Sequence, residues 1–168
     1  MSARRCALAA LLAWAPTAGA GDLVLRRLVL KDGDGFLLIA EAVDEHPQFG
    51  KVMQRKYRTE GVGVARRLVE LELGKKKRSL GGFLKRWQAN HGCAARARPE
   101  LAVFIGGKKQ KAVAFGGSCT GGTRFAHAVF VFGDTAYELD VSEPLGQGSS
   151  DELWQHLERL LGALAPRG

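Results

Sequence analysis

Few residues in this chain could do chemistry, and they are scattered. Cys119, His127 and Asp140 can be drawn as a thiol triad, with an imidazole to deprotonate the sulfur and a carboxylate to orient the imidazole. Cys119, however, has Cys93 as a disulfide partner, and the sequence does not say which strand face His127 takes, so a thiol hydrolase is only an outside reading. Gly116-Gly117-Ser118-Cys119-Thr120 lacks the closing glycine of a nucleophile elbow. Zinc needs cysteines or histidines paired a few residues apart; His46, His127 and His156 stand alone, and His91 with Cys93 is one weak pair. Asp32 and Asp34 begin like a calcium loop, but Phe36 takes the next ligand position and no later glutamate completes the set, so they read as a turn. Gly61-Val62-Gly63 lacks the third glycine of a dinucleotide loop, and Gly74-Lys75 the upstream glycine of a phosphate loop. No catalytic residue, metal or cofactor is expected, and the sequence leans away from an enzyme.

The cations Lys75, Lys76, Lys77 and Arg78 stand directly before Ser79 and a helical stripe of Leu80, Phe83, Leu84 and Trp87. Positive charge ahead of a helix opposes its macrodipole unless an anion sits there. The lysines and the free amides of the helix start therefore form a candidate anion site, with a solvated lysine-rich loop as the alternative. Lys108, Lys109 and Lys111 would extend the patch if they shared its face.

Lys and Arg number 25 against 17 Asp and Glu, a formal net charge of +8. That excess attracts anionic partners at long range without defining a fold. Arg4 and Arg5, the apolar run Cys6 to Ala15 and the small residues up to Ala20 fit a cleaved secretory signal over residues 1–20. The run is too short to cross a bilayer as a helix, and Pro16 would end the buried helix that is its alternative. The expectation is a secreted or periplasmic mature chain, residues 21–168, forming one domain without a transmembrane segment. Cys93 and Cys119 then remain, most simply as a disulfide in an oxidising compartment, otherwise as two buried thiols. The bond would contribute about 3 kcal/mol by constraining the unfolded chain.

The elements that must position these residues follow from periodicity. The clearest stretch is 124–144, where RFAHAVFVF and AYELDVSEP flank Gly133-Asp134-Thr135, suited to a hairpin with a bulge or a three-residue loop. In its second arm Tyr137, Leu139 and Val141 alternate with Glu138 and Asp140, which reads as one buried and one solvent-facing side. The first arm is apolar on nearly both faces and belongs deeper in a sheet. Segments 22–30 and 36–43 flank Asp-Gly repeats and predict a first hairpin. Phe49, Val52, Met53 and Tyr57 fit a short amphipathic helix, with an irregular loop as the alternative. Val69, Leu71 and Leu73 alternate with Glu70 and Glu72 as in a strand, against a helical alternative. A helix should run from a Ser79 cap to Gly92. LAVFI (101–105) and KAVAF (111–115) read as two strands around the turn 106–109. Ser149 and Glu152 have capping-box spacing ahead of a closing helix with Leu153, Leu157, Leu160, Leu161 and Leu164 on one face, stopped by Pro166. Together these predict an α+β fold, a mostly antiparallel sheet of about six to seven strands with helices packed on it.

The C-terminal half, with its helix SLGGFLKRWQ, strands around FIGGKKQKAVAF, RFAHAVFVF, a glycine turn, YELDVSEP and a last helix, resembles the PsbP/Mog-like fold family. The resemblance implies an antiparallel sheet with helices packed on it, in small exported proteins that bind or assist assembly without catalysis. The function expected on this reading is that of an exported, soluble, non-enzymatic binding or assembly-assisting protein with a protein partner. The alternative is binding of an anionic envelope component, such as lipopolysaccharide phosphates, through Lys75, Lys76, Lys77 and Arg78. Nucleic acid is not among the expected partners.

Overall fold

Two ten-residue strands joined at Gly133-Asp134 form the middle of the structure, pairing from Thr123 with Pro144 to Phe132 with Thr135. The turn has two residues rather than three, and Gly133 takes φ 63°, which glycine adopts without strain. Arg27 donates to the Asp134 carboxylate, and this, with Arg26 and Thr135 outweighing a smaller effect of desolvation, holds the carboxyl well below the usual range.

A computed structural model describes residues 21–33, 35–61 and 63–168; the expected signal segment 1–20 and Asp34 of the expected turn lie outside the described residues. In chain order the first elements are β1 (Leu23–Val24), β2 (Leu28–Leu30), β3 (Phe36–His46), β4 (Gly50–Thr59), β5 (Ala65–Glu72), α1 (Phe83–His91) and β6 (Cys93–Ala97). Then come β7 (Val103–Ile105), β8 (Lys108–Gln110), β9 (Ala112–Cys119), β10 (Thr123–Phe132), β11 (Thr135–Pro144), α2 (Ser150–Gly162) and β12 (Leu164–Pro166). Seven strands form one antiparallel sheet in the order β3-β4-β5-β11-β10-β9-β6, with β11 at its centre. The mostly antiparallel sheet with helices packed on it is thus present.

Each face of the sheet has its own core, because successive strand side chains point to opposite sides. On one face Ala126, Ala128, Phe130, Tyr137, Leu139 and Val141 meet the leucines of α2, together with Leu28 and Leu30 of β2 and Val103 and Ile105 of β7. On the other, Phe115, Phe125, Val129, Ala136, Val69 and Leu71 meet Phe83 and Trp87 of α1. α2 starts as expected, with the Ser149–Glu152 capping box formed in both directions. Cys93 and Cys119 are directly opposite on β6 and β9 and are bonded, Sγ to Sγ, at 2.00 Å.

Several expected elements are corrected. The first hairpin does not form: β2 pairs with β1 and β12 in a small separate sheet, while β3 pairs with β4. Residues 49–60 are not helical but make β4, where Val52 faces the α1 core and Tyr57 the α2 core. A strand buried on both faces loses its period of two, and here the leftover spacing mimicked a helix. The turn at 106–107 joins β7 to β8 in a two-stranded ribbon, and residues 112–119 enter the large sheet instead. β6 was not among the expected strands. α1 begins at Phe83 after Gly82 in the left-handed region with no side-chain cap, whereas the Ser79 hydroxyl accepts from Gly81 N–H in a local turn. The last helix gives way to β12 at Leu164, before Pro166.

At one edge, β3 shifts register between Leu38 and Ala40, and Leu38, Ile39 and Val43 stand exposed. At the opposite edge Gly117 of β9 faces Ala95 of β6, and a methyl group there would collide with the Ala94 carbonyl. Gly117→Ala should therefore cost at least about 2 kcal/mol in urea unfolding, while Gly121→Ala, with open space around it, should stay within about 0.5 kcal/mol of the parent.

Candidate functional site

The apolar stripe of α1 seats it over β9 and β10, with the Trp87 ring 4.9 Å from both Phe115 and Phe125. The opposite side of the same face is overhung by the turn of the β3–β4 hairpin. That tip is fastened to the helix entrance: Gln48 donates to the Ser79 carbonyl at 2.6 Å, and Arg86 Nε donates to Gln48 Oε1 at 2.6 Å. Between tip and helix lies a cleft of about 290 Å³. Lys56 of β4, Arg67 of β5 and Glu138 of β11 lie on its floor, and His46, Phe83 and Trp87 form its walls.

Glu138 is buried at the inner end. Its Oε1 accepts from His46 Nε2 at 2.7 Å, while His46 Nδ1 accepts from the Gln48 backbone N–H at 3.1 Å. The second contact assigns the tautomer, since a nitrogen that accepts leaves the proton on the other one. Burial pushes the Glu138 carboxyl up, but the His46 hydrogen bond and the nearby His127, His46 and Arg67 outweigh it and hold the carboxyl below its ordinary value.

Behind Glu138, His127 is fully buried against Phe115, ring centroids 4.8 Å apart. Its Nε2 lies 3.7 Å from Glu138 Oε2 and its Nδ1 3.5 Å from Asp140 Oδ2. Those distances are too long for hydrogen bonds. Neither ring nitrogen has a hydrogen-bond partner among the described residues, and neither does the buried Trp87 Nε1. Strand pairing sets this arrangement, placing His127 opposite Asp140 and Asp140 opposite Arg67.

Of the residues singled out by sequence, His127 and Asp140 do come together, but Cys119 is bonded to Cys93 and leaves no free sulfur for a thiol triad. Among the described residues no three His, Cys, Asp or Glu side chains gather to hold a metal ion. The run 75–78 lies in the loop after β5 rather than at the start of α1. Lys76 donates to the Lys51 carbonyl and Arg78 to the carbonyls of Gly133 and Gly74, so half of the run fastens the loop to its neighbours. Lys108 and Lys109 lie on the β7–β8 ribbon.

Sequence reasoning missed His46, Arg67, Trp87 and Glu138 as members of one site. The alternation of β11 predicts a solvent-facing Glu138, whereas α1 and the hairpin tip cover that side of the strand and bury it. The signal was present in β10, whose apolar residues on both faces require a sheet covered twice. Comparisons with protein-family models, curated proteins and solved structures return no match. No described helix is long and apolar enough to cross a membrane.

Removing the Glu138 carboxylate strands the His46 N–H in a buried site, so Glu138→Ala should destabilise by about 3 kcal/mol and Glu138→Gln by less. The folded carboxyl binds its proton more weakly than the unfolded one, so its contribution is complete above pH 4.5 and is lost as pH falls through the lower, folded value. Denaturant titrations across that range should show a steeper acid loss in the parent than in Glu138→Gln.

Proposed function

We propose that this chain is an exported protein that works by non-covalent binding, of the PsbP/Mog-like kind, and that the cleft between α1 and the β3–β4 tip is its recognition site. One observation carries the reading. The backbone N–H of Gln48, the His46 imidazole and the Glu138 carboxylate form a hydrogen-bond series that uses both nitrogens of His46. A catalytic imidazole needs one nitrogen facing the reacting group. Here the ring is spent on holding the tip against the sheet, which shapes a binding wall. Among the described residues, those lining the cleft include no serine, threonine or cysteine to serve as a nucleophile. The volume is near the lower end of small-ligand sites, roughly 300 Å³, and aromatic rings combined with a few placed polar groups are the usual lining of such sites. The disulfide supports export, since such bonds persist in oxidising compartments.

The test is native mass spectrometry of the full chain mixed with a bacterial envelope extract. A bound species should be recovered with unchanged mass, and Asn90→Trp, which fills the cleft, should lose it. Recovery of a chemically altered species whose formation stops in Glu138→Gln would replace binding with catalysis.

A further inference from the structure

We infer that the ligand of this cleft carries an anionic group held by Arg67, while its apolar part lies against Phe83 and Trp87. The inference rests on the cleft being the binding site. Register places Arg58 of β4 directly opposite Arg67 of β5, and like charges opposite each other on neighbouring strands destabilise a sheet. Some arginines of the structure are matched by acidic groups, whereas others, such as Arg66 on β5 and Arg96 on β6, have no ion pair among the described residues. Arg26, Arg27, Arg55, Arg98 and Arg124 each meet a carboxylate within 4 Å. Arg58 and Arg67 have neither an ion pair nor a hydrogen bond from their side chains among the described residues, although Asp140 stands opposite Arg67 on its other side. Lys56, one step along the same face, has a single long contact to Asp44 at 3.8 Å.

The inner wall points the same way. Trp87 Nε1 is a buried donor without an acceptor, and the buried carboxylate of the cleft is already matched by His46. Asp44 and Glu45 put carboxylates at the tip end of the cleft, so what is left unmatched is an acceptor and negative charge at Trp87 and Arg67. A carboxylate or a phosphate monoester supplies both, and the planar fork of a half-buried guanidinium suits either.

The experiment uses the full chain and three probes of similar shape: phenyl phosphate, benzoate and benzyl alcohol. Binding is followed by calorimetry and by the indole N–H resonance of Trp87, assigned through Trp87→Phe. Both anions should bind and move the Trp87 signal, benzyl alcohol at equal concentration should not, and added salt should weaken the anions. Arg67→Ala should weaken anion binding at least about tenfold, with Arg67→Lys in between; Arg67→Gln serves if Arg67→Ala loses the fold. A tenfold preference for phenyl phosphate over benzoate would mark a phosphate ligand, and the reverse a carboxylate. The anion assignment is overturned if benzyl alcohol binds as tightly as the anions or if the Arg67 variants keep the parent affinity, and in either case a shifted Trp87 signal leaves the cleft standing as the binding site. If no probe moves that signal, both the assignment and the cleft reading fail.

Discussion

A carboxylate placed beneath a helix must be compensated nearby, because stripping it of water costs several kcal/mol. Glu138 sits on the central strand, and its compensation comes from His46, 92 positions earlier in the chain. His46 reaches it only because the β3–β4 hairpin curls over the sheet, and the hairpin holds that curl by gripping the entrance of α1 through Gln48. Sheet, hairpin tip and helix are thus bound into one arrangement by a single buried charge. The cleft is the space that this arrangement leaves open.

The opposite face poses the same problem and answers it differently. Glu70 of β5 is buried there, accepting from the Arg26 backbone N–H at 2.6 Å and from Arg55 at 3.2 Å. Burial, with the charge of Glu70 adding to it, pushes the neighbouring Tyr57 hydroxyl up to about 12. Arg55 also meets Glu41 and Glu72, so this cluster balances its charges internally. Among the described residues Glu138 has a histidine as its hydrogen-bond donor, and Arg67, whose charge acts on it, has no ion pair of its own and lines the cleft. This difference separates a cluster that only holds the fold from a surface with capacity left over.

Local signals were legible where local physics decides. The glycine turn and alternation of β10 and β11, the Ser149–Glu152 box and the leucine stripe of α2 each form as their residues dictate. The disulfide follows from two cysteines and a redox argument. What could not be read depends on which segment covers which face. Glu138 and Asp140 look wet because alternation reports only that two faces differ, not that the second lies open. β4 looked helical because both of its faces are buried, and β2 looked like the partner of β3 because the turn between them hides a change of sheet. The site joins residues from β3, β4, β5, α1 and β11, so no single window of sequence contains it.

The register shift at Ile39 bears on how this chain behaves among copies of itself. β3 is eleven residues long, lies at the edge of the sheet and begins with four apolar residues. A straight edge of that kind offers its free amides and carbonyls to any similar strand and can seed stacking without limit. The bulge breaks the repeat in the middle of the apolar run, and Glu41, Asp44 and Glu45 place charge on the remainder. The irregularity therefore acts as a chain terminator for the sheet, interrupting the edge as a template for a second strand.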